Sequence, residues 1–119
     1  MNILVVDDER DTLDLIDLTL RTAGYEIHVA SSGTECLEMI RRNRYDLVLL
    51  DIMMPDMTGY EVLQTLKGEM ENLPPVVYLT AKSLPEDRAQ GMALGATDYL
   101  TKPISRGSLL DTIKRASGG

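Results

Sequence analysis

A chain of 119 residues with a formal charge of −7 can build one domain around one modest core, and its 12 Lys and Arg, never more than two in a row, argue against direct nucleic-acid binding. The one cysteine, Cys36, excludes an intrachain disulfide and a thiolate zinc cluster and fits a reducing cytoplasm. No apolar stretch approaches the ~20 residues of a membrane helix, and Met1 passes into a strand pattern without a signal peptide, so a soluble, cytoplasmic protein with no membrane partner is expected.

Ile3 to Val6 form an aliphatic run that ends on Asp7 and Asp8, and it reads as the first strand. Leu13, Ile16, Leu20 and Ala23 recur at helical spacing from Asp11, with Gly24 as the stop signal. Tyr25 to Ala30 alternates as a second strand with Glu26 and the only histidine, His28, facing outward, away from the acidic edge. Ser31 to Gly33 turns into a second helix with Cys36, Leu37 and Ile40 on its inner face. Arg41, Arg42 and Arg44 at its end offset the negative end of the helix and need no ligand.

Leu47 to Leu50 is too short for a membrane span and suits a strand buried on both faces, closed by Asp51. Pro55 breaks the chain, Thr58 or Gly59 starts a third helix with Val62, Leu63 and Leu66 inward, and Gly68 to Asn72 gives a polar connection. After Pro74 and Pro75, Val76 to Thr80 is the fourth strand. A short fourth helix is expected from Pro85, with a weak face of Ala89, Met92 and Ala93 interrupted by Gly91. Gly95 to Thr97 turns into a fifth strand, Asp98 to Thr101, which ends in Lys102 and Pro103. Ser105 is placed to cap a fifth helix with Leu109, Leu110 and Ile113 inward. A domain over residues 1–117 is expected, with Gly118 and Gly119 as a tail or the start of a linker.

Strands alternating with helices imply an α/β fold, a single doubly wound parallel sheet of five strands with five helices and right-handed crossovers. All strand C-termini then share one edge, which gathers Asp7, Asp8, Asp51, Thr80 and Lys102. Three neighbouring carboxylates repel one another unless a cation intervenes, and an oxygen-only set selects a hard divalent ion, magnesium best. Lys102 adds a movable positive charge and Thr80 a hydroxyl. The set suits a phosphoryl group carried on one carboxylate through a loose transition state.

With LVVDDE at Leu4 to Glu9, LVLLDIMMPDMTG at Leu47 to Gly59, LTA at Leu79 to Ala81 and DYLTKP at Asp98 to Pro103, the chain resembles, along nearly its whole length, a receiver domain of the two-component response-regulator family. The resemblance implies a flavodoxin-like, CheY-like sheet of order 2-1-3-4-5. It implies that Asp51 is the phosphoacceptor, served by a sensor histidine kinase or a phosphotransfer protein, and that the domain is a signalling switch assisting its own phosphorylation and dephosphorylation. Asp8 and Asp51, with the backbone carbonyl of Met53, would ligate Mg2+ (or Mn2+ in its place), and Asp7 would hold a metal-bound water. Thr80 would bond the phosphoryl oxygen, and Lys102, aimed inward by a cis bond to Pro103, would pair with Asp51 and then with the phosphate. Thr80 and Tyr99 would form the switch: Tyr99 rotates inward as Thr80 moves, and the face of the fourth helix, fifth strand and fifth helix changes shape for an output domain or target protein.

By the same resemblance Ala81 leaves room for an incoming phosphodonor, and Met53 and Lys82 occupy positions that tune hydrolysis. Thr58 and Thr97 stand where the family commonly carries acidic residues, and Ile104 replaces a Phe frequent in winged-helix regulators. A haloacid-dehalogenase-type phosphatase needs a second Asp two residues after the nucleophile, where this chain has Glu9 after Asp7 and Met53 after Asp51. A flavodoxin-type binding module lacks support because no phosphate-cradling loop is present. A pseudo-receiver acting only by protein contact would lack part of the acidic set, which is complete here.

Overall fold

The computed structural model describes residues 1–81 and 96–117. In chain order these form β1 (Asn2–Val6), α1 (Arg10–Thr22), β2 (Glu26–Ala30), α2 (Gly33–Arg42), β3 (Leu47–Asp51), α3 (Gly59–Glu69), β4 (Val76–Thr80), β5 (Asp98–Thr101) and a C-terminal helix (Arg106–Ala116). All five expected strands are present in one parallel sheet of order β2-β1-β3-β4-β5. The helix expected on Pro85, Ala89, Met92 and Ala93 lies outside the described residues, as do Lys82, Gly95, Gly118 and Gly119.

Side-chain parity along each strand decides which helices it meets. Leu4, Val6, Val48, Leu50 and Tyr78 face α2 and α3, packing on Cys36, Leu37, Ile40, Val62, Leu63 and Leu66. Ile3, Val5, Leu47, Leu49, Val77 and Leu79 face the other layer, where Leu13, Ile16 and Leu20 of α1 and Leu109 and Ile113 of the C-terminal helix cover them. The central strands β3 and β4 are buried along their whole length, which is why their sequences run apolar rather than alternating. At the β2 edge Glu26 and His28 are exposed, as their alternation requires. His28 is not idle, however: its Nδ1 lies 2.7 Å from the Tyr45 hydroxyl, and the two rings meet edge-on.

Helix ends follow local chemistry. Gly24, with φ of 96°, takes the left-handed turn after α1 that a side chain would disfavour. Ser32 Oγ accepts from Glu35 N at 3.1 Å, Ser105 Oγ accepts from Ser108 N at 3.2 Å, and Thr58 forms a reciprocal capping box with Glu61. The basic end of α2 has one partner beyond its own dipole: Arg41 Nε donates to Glu69 at the end of α3 at 3.1 Å, an exposed pair that adds little stability. Cys36 is fully buried, and burial pushes its thiol up to about 12, so it behaves as a small core hydrophobe.

Tyr78, at the centre of the α2/α3 layer, is fully buried between Tyr60, edge-on at 5.2 Å, and Tyr99, tilted at 5.4 Å. Its hydroxyl has no hydrogen-bond partner among the described residues, and burial, with Tyr99 and Tyr60 adding, raises its pKa. An unsatisfied buried donor opposes folding by about 1–3 kcal/mol. Tyr78→Phe keeps the ring contacts and removes that group, so it is expected to stabilise the protein by about 1 kcal/mol, measured as a higher urea midpoint at unchanged m-value. A fall in the midpoint would mean that the hydroxyl is satisfied.

Candidate functional site

Parallel register delivers the polar strand ends to one place. Val6 sits opposite Leu50, Asp51 opposite Leu79 and Thr80 opposite Thr101, so the residues that follow β1, close β3 and β4 and follow β5 converge at one sheet edge. Such an edge is where open α/β sheets bind ligands. Backbone bonds hold the convergence: Asp7 N donates to Ala30 O at 3.1 Å, Ile52 N to Leu79 O at 3.1 Å and Lys102 N to Thr80 O at 2.7 Å.

One carboxylate oxygen from each of Asp7, Asp8 and Asp51 lies within 4.8 Å of the other two. Asp7 is 0% exposed and Asp51 4%, whereas Asp8 is open to solvent. Burial, followed by the charge of Asp7, raises the Asp51 carboxyl to about 7 despite the opposing pull of Lys102. Lys102, reached through a cis bond to Pro103, enters this cluster. Burial alone would lower its ammonium, but the close ion-pair contact with Asp7 and the charges of Asp51 and Asp7 outweigh that and raise it to about 12. It is therefore a permanent cation at the site.

The expected pairing of Lys102 with Asp51 is the longest of three. Nζ stands 2.8 Å from Asp7 Oδ2, 3.1 Å from Glu9 Oε1 and 3.5 Å from Asp51 Oδ1. The approach to Asp7 Oδ2 is close in distance but outside hydrogen-bonding geometry, so that buried oxygen, though paired in charge with Lys102, has no hydrogen-bond donor among the described residues. A hard donor set with one buried, undonated oxygen suits a divalent cation or a water bound to one. The other oxygen, Oδ1, accepts from Glu9 N at 2.9 Å, which fixes the carboxylate plane.

Thr80 is buried at 3% exposure. Tyr99, expected to take part in the switch, is 8% exposed and lies in register with Tyr78, inside the α2/α3 layer. Met53 projects its side chain into solvent at 61% exposure. Ala81 is exposed and borders, with Glu9, Thr12, Leu15 and Ile104, a cleft beside Lys102.

Two functional contacts escaped the sequence. Glu9 shares Lys102 across 93 positions, and its only sequence cue was adjacency to the acidic pair. Asp56 sits in the loop after β3 yet accepts from Gly33 N at 3.1 Å and from Thr34 N and Thr34 Oγ1 at 2.9 Å each. These bonds, led by that from Thr34 N, lower its carboxyl to about 2. No local pattern announces a cap supplied from 22 residues away.

Residues 3–114 match the response regulator receiver domain family. The probable transcriptional regulatory protein TcrX of Mycobacterium tuberculosis is 44% identical over 105 residues, 88% of this chain and 44% of that protein. The chain spans about half the length of the curated relatives it matches. Among solved structures, chemotaxis protein CheY4 of Vibrio cholerae superposes with a TM-score of 0.91 at 34% identity, covering 97% of both chains. The response regulator TrrA of Thermotoga maritima, solved with Mg2+ and BeF, superposes with a TM-score of 0.85 at 34% identity, again over 97% of each chain.

Proposed function

We propose a function on this premise: the chain belongs to the response regulator receiver domain family, so it is a signalling domain of two-component systems. Asp51 accepts a phosphoryl group from a phosphohistidine on a sensor kinase or phosphotransfer protein. The observation that carries this reading is the cluster of Asp7, Asp8 and Asp51 oxygens within 4.8 Å, with a permanent cation 3.5 Å from Asp51.

Asp8, Asp51 and the Met53 carbonyl would hold Mg2+ directly and Asp7 would hold a metal-bound water, with Mn2+ as a substitute. When bound, the metal neutralises charge on the phosphoryl oxygens and lowers the repulsion among the carboxylates. An Asp51 oxygen forms the new bond to phosphorus as the phosphorus–nitrogen bond breaks, and the imidazole leaves with its electron pair. Lys102 then turns from Asp51 to the transferred phosphoryl oxygens while Asp7 and Glu9 keep it at the site. The Thr80 hydroxyl donates to that phosphoryl group, and Tyr99 follows it within the tyrosine cluster, which alters the face of β5 and the C-terminal helix. The described part of that face, β5 and the C-terminal helix, signals to an output domain or target protein; the rest of it lies outside the described residues. Residues 1–117 act as the receiver domain, in the cytoplasm beside the kinase; among the described residues no helix is long and apolar enough to cross a membrane.

The test is incubation with a small phosphodonor such as phosphoramidate and Mg2+, followed by intact-mass measurement. One hydroxylamine-labile phosphoryl group is expected, lost on chelation of the metal and absent in Asp51→Asn. Unchanged acceptance by that variant would overturn the assignment.

A further inference from the structure

The loop of residues 52–58, which carries the Met53 carbonyl from the end of β3 to the start of α3, is irregular and is closed on itself at its ends. Gly59 N donates to Ile52 O at 2.8 Å, and Thr58 N donates to Glu61 Oε1 at 3.1 Å. Its middle is tied elsewhere. Asp56 spans to the first turn of α2, Oδ1 accepting from Gly33 N and Oδ2 from both Thr34 N and Thr34 Oγ1. Met57 packs beside it so closely that a Cβ on Gly33 would meet Met57 Cγ at 2.5 Å.

The start of α2 therefore has its donors divided between two caps. Its own N-cap, Ser32, serves Glu35 N through Oγ and Cys36 N through its carbonyl, while Asp56 serves the remaining two, Gly33 N and Thr34 N. A helix already capped locally gains less from a second cap than a structureless loop gains from an anchor. The bidentate grip on two successive amides restrains both position and orientation, as charge-assisted pairs do.

We propose that Asp56 is a positioning residue of the phosphoryl-accepting site: it ties the 52–58 loop to α2 and so fixes the Met53 carbonyl relative to Asp51. This rests on the functional reading above. Groups that orient metal ligands from outside commonly change metal affinity or activity by about 10–100-fold when removed.

The test compares Asp56→Ala, Asp56→Asn, Thr34→Val and Ser32→Ala. Two quantities are read in the full chain: the Mg2+ concentration giving half-maximal phosphoryl acceptance from phosphoramidate, and the Mg2+ concentration giving half the Mg2+-induced rise in Tm. Asp56→Ala is expected to raise both about tenfold. Asp56→Asn retains one acceptor oxygen and Thr34→Val removes one of three bonds, so both should shift less, in the same direction. Ser32→Ala removes the other cap of the same helix, so it should lower Tm in the absence of metal without moving either Mg2+ midpoint. A wild-type Mg2+ requirement in Asp56→Ala, or an equal shift in Ser32→Ala, overturns the proposal. A wild-type protein whose Tm responds to Mg2+ but which takes no phosphoryl group would instead overturn the functional reading, and the thermal midpoints would still decide the role of Asp56.

Discussion

Asp51→Asn is expected to make the metal-free protein more stable at pH 7 while it abolishes phosphoryl acceptance. The fold raises the Asp51 carboxyl to about 7, first through burial and then through the charge on Asp7, so the native state disfavours the ionised form. A group whose folded pKa exceeds its unfolded value, ~3.9 for Asp, carries no such penalty below pH 4. The penalty grows as pH rises between the two values and is complete above pH 7. The gap between the proteins should follow the same course: small near pH 4, widening to pH 7, then flat, at on the order of 2–4 kcal/mol. Added Mg2+ should narrow it, because wild type gains stability by mass action and the variant has lost one carboxylate ligand. Urea midpoints across this pH range, with and without Mg2+, measure the effect. A variant no more stable than wild type at pH 7 without metal would show that the buried carboxylate is not strained by its surroundings.

The second large effect concerns space rather than charge. A Cβ added at Gly59 would lie 2.6 Å from the Asp51 carbonyl oxygen and 3.1 Å from Ile52 Cα, where α3 begins against the end of β3. Both obstacles are backbone, the last residue of β3 and the first of the loop after it, so no side-chain rotation relieves them. Gly59→Ala should therefore cost about 2 kcal/mol net, since overpacking of about 1–3 kcal/mol exceeds the helix-propensity gain of up to about 1 kcal/mol. Because the displaced atoms belong to Asp51 and Ile52, phosphoryl acceptance should fall as well. Gly68, in the same helix, has nothing within 4 Å of its would-be Cβ. Gly68→Ala should give the opposite sign, a gain of about 0.5–1 kcal/mol with normal acceptance. Equal responses at the two glycines would refute the steric account.

Both effects, with the anchoring of the loop by Asp56, describe one design problem. Three acidic groups are held close together, although their closeness destabilises the protein when no cation lies among them. Strand register places Asp7 directly after the buried run Ile3 to Val6 of β1 and Asp51 at the buried end of β3, before any side-chain tie is counted. The remaining parts, Lys102 and the 52–58 loop, need side-chain ties, and these run to Asp7 and Glu9 in one case and to α2 in the other.

Local signals were enough for the strands, the inner faces of the described helices, the start of α3 at Thr58 or Gly59 and the cap at Ser105, because each depends on residues within one turn or one strand of each other. The same signals identified the acidic edge, since apolar runs ending in Asp7, Asp51, Thr80 and Lys102 need only parallel topology to bring them together. Tertiary structure alone decided that Lys102 lies nearer Asp7 and Glu9 than Asp51, that Asp56 caps a helix begun 23 positions earlier, and that half-buried Tyr60 meets buried Tyr78 and Tyr99 in one cluster. The reason is physical: these contacts join side chains far apart in sequence, and a choice among partners less than 1 Å apart in distance depends on register, loop closure and rotamer, none of which a periodic pattern encodes.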